Sequence, residues 1–286
     1  MKQLIVNADD FGLHENINLG IIEGYTKGCI TSTSIMAGAP AFEHAANLAA
    51  EHRNLGIGVH LTLVGGPPAA EPGQIASLID SDGLLCSSYP VFLKKFCLAG
   101  IRIEHVRQEL AAQVKKVVAA GINITHLDSH QHMHVVPGII EVVIDIAKEF
   151  GIRAMRIPAE PLLFFGGFSP SAGRIIGRSG LSILASLARL KAQRAGLAAP
   201  EHFYGMLAGG TMEERFLLRV IDSLPDGLAE IMVHPGLDDR VLNQVFTWGY
   251  HWQQELAAVT SLKVVERLEQ RQVKLVSFAS LITDKG

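Results

Sequence analysis

Thr125-His126-Leu127-Asp128-Ser129-His130-Gln131-His132-Met133-His134 holds four of the chain's twelve histidines, with a carboxylate among them. It follows Ile122-Asn123-Ile124, which reads as a short buried strand running into a loop. Neutral imidazole is the commonest metal-binding side chain near neutral pH. A cluster at a strand end brings several rings together without long side chains. The plainer alternative is a polar, pH-sensitive loop or a chance His-rich tract. The rest of the chain favours a metal, because other ligand-type residues also recur at strand ends. Asp9 and Asp10 follow the apolar run Leu4-Ile5-Val6, and His60 lies in or at the end of Gly56–Leu63. Arg156 belongs to the short run Ala154–Pro158, and His234 follows Leu228–Val233. A closed or nearly closed β/α barrel collects successive strand ends in one mouth, so the expected fold is α/β, an irregular (β/α) barrel of about seven strands. An open doubly wound sheet is the alternative. No GxGxxG or GxxxxGK[ST] loop follows a strand, which counts against nucleotide binding.

Periodicity fills in the remainder. Helices are expected at Glu15–Lys27, Ala41–Ala50, Ile103 to Gly121, Gly138–Phe150 and Glu255–Gln270. Thr211-Met212-Glu213-Glu214 reads as a capping box opening another. Ile30–Met36 and Val273–Phe278 read as strands, and Val64–Pro90, rich in Gly, Pro and Ser, as a long loop over the site. Pro161–Pro200 breaks the pattern. It has no acid, and Arg174, Arg178, Arg189, Lys191 and Arg194 are interleaved with Ile and Leu. It reads as one or two apolar helices with a basic face, inserted into a single domain spanning residues 1–286. Such a face suits an ordinary barrel helix with solvated arginines. It equally suits peripheral contact of 174–194 with a membrane or a lipid-held substrate, or burial in a homodimer.

A chain of 286 residues, 48% apolar and 19% charged, has ample mass for one large core. The net charge of -3 argues against bulk attraction to nucleic acid. Cys29, Cys86 and Cys97 are odd in number and lack CxxC spacing, so they read as reduced thiols of a cytoplasmic protein. The apolar run before Asp9 is too short for a signal peptide, and no uncharged run reaches the length of a membrane span.

A catalytic metal takes about three protein ligands and leaves one position for water. That water loses a proton near neutral pH, a carboxylate can receive it, and a separate acid protonates the leaving group. Asp9 and Asp10 offer a base and a ligand. His60 and one histidine of the cluster complete the metal set, and His234 is available as the acid. Adjacent strand residues point to opposite faces, so the two aspartates share a centre only if the strand has ended by Phe11-Gly12. Arg156 pairs with a site carboxylate in this reading and holds it ionised. Each residue also has a plainer role: Asp9 as acceptor for loop amides, His60 as a core histidine, His234 in packing or capping, Arg156 in a surface ion pair.

Asn7-Ala8-Asp9-Asp10-Phe11-Gly12, Gly58-Val59-His60-Leu61, Thr125 to His132 and His234-Pro235 resemble the YdjC-like carbohydrate deacetylases, which are distantly similar to NodB-type polysaccharide deacetylases. The resemblance implies an irregular β/α barrel, one divalent ion and hydrolysis of N-acetyl groups on amino sugars. It places the metal ligands at Asp10, His60 and His130, the base at Asp9 and an acid at His234. Arg156-Ile157-Pro158 is similar to an Arg-x-Pro element that steadies the base. Relatives often have a histidine where this chain has Gln131. The 161–200 segment and Glu201-His202-Phe203-Tyr204-Gly205 look like a hopanoid-biosynthesis-associated branch, whose implied substrate is an N-acetylglucosaminyl group on a hopanoid lipid. The resemblance implies Mg²⁺, whereas two imidazoles and one carboxylate suit Zn²⁺, Co²⁺ or Mn²⁺. Three rivals remain: a two-metal phosphoesterase drawing on His126, Asp128, His132 and His134, a sugar- or lipid-binding protein without catalysis, and a structural metal site with four protein ligands.

Overall fold

Lys2–Phe11 forms one strand, β1, and its alternation sorts two environments. Leu4, Val6 and Ala8 join the main core, whereas Ile5 joins Ala154, Leu228 and Phe278 in a second, smaller cluster. The strands that follow are β2 (Ser32–Ile35), β3 (Gly56–Leu61), β4 (Ile124–Ser129), β5 (His202–Tyr204), β6 (Gly227–Val233) and β7 (Lys274–Leu275). Their order is β4-β3-β2-β1-β6-β5, with β7 on β1. Every pairing is parallel, as helical crossovers between successive strands require. The computed structural model describes residues 1–167 and 170–283. Phe168 and Ser169, within the 161–200 segment, and residues 284–286 lie outside the described residues.

The sheet curls into an irregular barrel. Leu127 of β4 bridges Met155, and Ala154 bridges Ala198 just before β5, so single bridges span the seam. The strand expected at Ala154–Pro158 shrinks to these bridges, since Pro158 has no N–H to continue a ladder. β4 begins where the periodicity would end it. The Ile122 amide is spent on the Val117 carbonyl, closing the helix Ile103–Ala119 through Gly121 at φ 77°. His126 and Asp128 therefore lie on a strand, not in a loop.

Other boundaries also move. Glu255–Gln270 is two helices, Trp252–Val259 and Leu262–Gln270, because the Thr260 hydroxyl folds back onto the Leu256 carbonyl. The helix Glu214–Ser223 has no side-chain cap, and Thr211 instead donates to the Ala208 carbonyl. β7 is two residues long because β2 takes the upper part of the β1 edge that it shares. Residues 172–194 form a single helix on which Arg174, Lys191 and Arg194 are exposed and Arg178 is buried. Ser182, Ala185, Ala188 and Ala192 pack inward. Arg174, Arg178 and Arg189 donate to the backbone carbonyls of Leu207, of Leu162 and Phe164, and of Pro200, and Lys191 pairs with Glu141.

Candidate metal centre

A β-bulge solves the problem of two adjacent aspartates. The register between β1 and β2 shifts between Ala8 and Phe11, and Asp10 takes a left-handed φ of 69°. Both carboxylates then turn toward His60: Asp9 Oδ2 lies 3.9 Å and Asp10 Oδ1 3.5 Å from its Nε2. His130 Nδ1 lies 3.2 Å from the same Asp10 oxygen. One donor atom each from Asp10, His60 and His130 falls within 4.8 Å of the others. Asp10 Oδ1 is fully buried and has no hydrogen-bond partner. An orphaned anionic oxygen between two imidazoles is the environment a cation would satisfy.

The surrounding groups orient this trio. His60 Nδ1–H donates to Asp128 at 2.9 Å, which turns the Nε2 lone pair toward Asp10. Asp128 also accepts from Ser34 Oγ and from Arg156. Arg156 is fully buried and grips Asp9 with two parallel bonds of 2.6 and 2.7 Å, while its Nε donates to Glu230. Asn7 adds a third bond to Asp9. Asp9, His60 and Asp128 form a second cluster of donor atoms, but Arg156 already supplies positive charge to both of its carboxylates. That argues against a second ion and so against the phosphoesterase rival.

Charge and burial set the protonation states. Burial raises the Asp10 carboxyl, but His130, His60 and His234 outweigh it and hold Asp10 well below the ordinary carboxylate range. Burial lowers His60, and Asp128, Asp9 and Asp10 overcome it to lift that imidazole to about 9. Three carboxylates around one ring call for positive charge, which a proton meets until a metal displaces it. Burial pushes Glu230 up to about 7 despite Arg156. His234 is raised: burial lowers it, but Glu255 and the two aspartates prevail. Glu255 also accepts from the His234 amide, and the Tyr250 ring packs against the imidazole.

Asp9, Asp10, His60, His130 and Arg156 are thus brought into one network, and His234 faces its charge. The remaining histidines of the cluster lie outside the trio of Asp10, His60 and His130. His126 stacks on Phe278 at 3.6 Å and hydrogen-bonds Thr125 and Ser34, and burial lowers it to about 3. His134 bonds Ser129 and the Arg156 carbonyl, and burial lowers it to about 4. Burial and Arg156 hold His132 well below its usual value.

A family profile described as YdjC-like protein matches residues 3–270. The chain belongs to the YdjC-like family. This YdjC-like chain is 32% identical over 288 residues to a Brevibacillus brevis protein named carbohydrate deacetylase, covering 98% of this chain and 99% of that one. A Geobacillus stearothermophilus protein of the same name is 32% identical over 286 residues, covering 97% of each. Among solved structures, a candidate cellobiose-phosphate cleavage protein from Enterococcus faecalis V583 is similar over 98% of both chains, with a TM-score of 0.79 and 25% identity.

The sequence reading of this YdjC-like site misses Glu230, Glu255 and Trp248. Glu230 sits inside an apolar strand, where only a lone acid in Leu228–Val233 could have signalled it. Glu255 lies in a helix and meets His234 only through the fold. Trp248 carries a signal in the alternating Phe246, Trp248, Tyr250 and Trp252, and its ring centroid lies 5.6 Å from that of His130.

Proposed function

We propose that the protein is a metal-dependent hydrolase that removes the N-acetyl group from an amino sugar, with one divalent ion on Asp10, His60 and His130. The observation that carries the proposal is the unpartnered Asp10 oxygen between two imidazoles, beside a second carboxylate fixed by Arg156. A divalent ion at those donors supplies Lewis acidity, lowering the pKa of water and polarising the acyl carbonyl. Asp9 accepts the proton of the attacking water. Its grip by Arg156 keeps it aimed while its remaining lone pairs stay available. His234 carries a proton to the departing sugar amine, and Glu255 keeps that proton in place. The donor set favours Zn²⁺, Co²⁺ or Mn²⁺ over the Mg²⁺ implied by the resemblance. The names of the Brevibacillus and Geobacillus relatives support the acyl-sugar class.

A specific feature favours a sugar joined to an apolar group over a free oligosaccharide. A cavity of about 420 Å³ adjoins His130 and is walled by Leu13, Met36, Val64, Phe246 and Trp248. The size falls in the usual range for ligand sites, and sugar hydroxyls would find few partners there. The hopanoid glycoside implied by the resemblance is one member of that class. We read residues 1–286 as one domain, and three free cysteines support a reducing, cytoplasmic setting.

The test is acetate release from a panel running from N-acetylglucosamine oligomers to N-acetylglucosaminyl lipids, with and without chelator. Release that stops on chelation and returns with metal is expected. No acetate from any member, or release indifferent to chelator, overturns the proposal.

A further inference from the structure

The helix Ala172–Arg194 packs Leu181 and Leu184 against the core but leaves four other large apolar side chains exposed. Ile176, Ile183, Leu187 and Leu190 are all exposed, Ile176 at 73%. Their spacings of seven, four and three residues place them on one narrow stripe. The buried positions of the helix, Arg178, Ser182, Ala185, Ala188 and Ala192, lie on the opposite side. Single exposed leucines are ordinary, but an aligned stripe is a binding surface. The loop before the helix is also apolar and exposed. Leu163 is 92% exposed, with Leu162 and Phe165 beside it, and Arg178 holds this loop to the helix through the carbonyls of Leu162 and Phe164.

The charge around this surface is mainly basic, although Glu141 pairs with Lys191 on the helix and exposed Glu201 follows the segment. Residues 161–200 contain no acid, and exposed Arg194 closes the far end of the stripe. Arg215 donates to the Gly167 carbonyl and the Arg219 side chain lies against Gly167, so two exposed arginines flank the loop. Asp222, near the same loop, is already neutralised by Arg267 and Arg271. Exposed apolar anchors with a basic rim match the acyl boundary and headgroups of an anionic bilayer. No helix among the described residues is long and apolar enough to cross a membrane.

The surface is also tied to the mouth of the barrel. Arg174 donates to the Leu207 carbonyl, and the turn after it brings Gly210 against Tyr250, whose ring packs on His234. We propose that the helix Ala172–Arg194 and the loop Leu162–Phe165 dock on an anionic lipid surface, leaving the mouth beside the membrane. The inference needs no chemistry at the metal centre.

Flotation of the whole chain with vesicles tests it, using phosphatidylcholine alone or mixed equally with phosphatidylglycerol. Binding to the mixed vesicles that weakens with salt is expected, with little on phosphatidylcholine. The double substitution Ile183→Ser and Leu187→Ser removes two apolar anchors and weakens partitioning about a hundredfold. Arg215→Glu with Arg219→Glu weakens it while leaving the stripe intact, and both variants should keep the parent's melting temperature. A chain that stays unbound on anionic vesicles overturns the proposal. So does a solution mass of two chains that drops to one in the Ser variant, because the stripe is then an interface between copies.

Discussion

Replacing Arg156 with Met tests the ionic layer that supports the site. The guanidinium is fully buried and bonds or pairs with three buried carboxylates, Asp9, Asp128 and Glu230. Removing one partner of a buried ion pair costs about 3–5 kcal/mol, because the other charge is left stranded. With three carboxylates stranded at once, the upper end applies. For a chain of this size, a loss of about 5 kcal/mol lowers the melting temperature by roughly 10–20 °C. The assay is thermal unfolding by circular dichroism on metal-free protein at pH 8 and again at pH 6. The deficit should shrink at pH 6, because Glu230, already pushed up to about 7, then takes a proton and sheds its need for the arginine. A loss under about 1 kcal/mol, or an equal loss at both pH values, would refute the reasoning.

Three further outcomes follow from the same geometry. Metal-free protein should be most stable near pH 6.5. His60, raised to about 9, contributes stability that is full below 6.5 and lost as pH rises through 9, whereas His126 and His134, lowered to about 3 and 4, contribute stability lost as pH falls below 6.5. Melting curves across pH check this, and a flat profile contradicts it. Asp9→Asn should keep its metal, by elemental analysis, while turnover falls by about 10²–10⁴; unchanged turnover removes Asp9 as the base. Glu255→Gln should move the alkaline limb of the rate profile to lower pH, since Glu255 helps to raise His234, with metal content unchanged; an unmoved limb removes that coupling.

Much of the barrel was legible because several of its strands are short apolar runs that end in a residue of chemical type, whereas β5 (His202–Tyr204) carried no such signal. Asp9, His60 and His234 announce strand ends by chemistry, and parallel strands between helices do the rest. Arg156 was expected to pair with a site carboxylate, and the resemblance pointed to Asp9, but its pairing with Asp128 and Glu230 was not legible. Even Arg156 and Asp9 lie 147 positions apart in the chain, and nothing local in either segment specifies that meeting. The bulge at Asp10 was equally hidden, because its cause is the shifted pairing with β2, not the residues on either side. The histidine cluster was legible in part. One cluster histidine was expected as a ligand, but from the residues alone which one was open; burial lowers His126, His132 and His134, and His126 bonds Ser34 and Thr125 while His134 bonds Ser129 and the Arg156 carbonyl. The 161–200 segment misled. Its arginines looked free in sequence, but three of them donate to backbone carbonyls, and the exposed face carries an apolar stripe beside Arg174, Lys191 and Arg194.

The most direct measurement is X-ray anomalous scattering from crystals of the protein loaded with Zn²⁺ or Co²⁺. One ion is expected, bonded at about 2.0–2.2 Å to Asp10 Oδ1, His60 Nε2 and a His130 nitrogen, with at least one position held by solvent. An ion on Asp9 and Asp128 instead, a fourth protein ligand closing the site, or no ion at saturating metal would contradict the account.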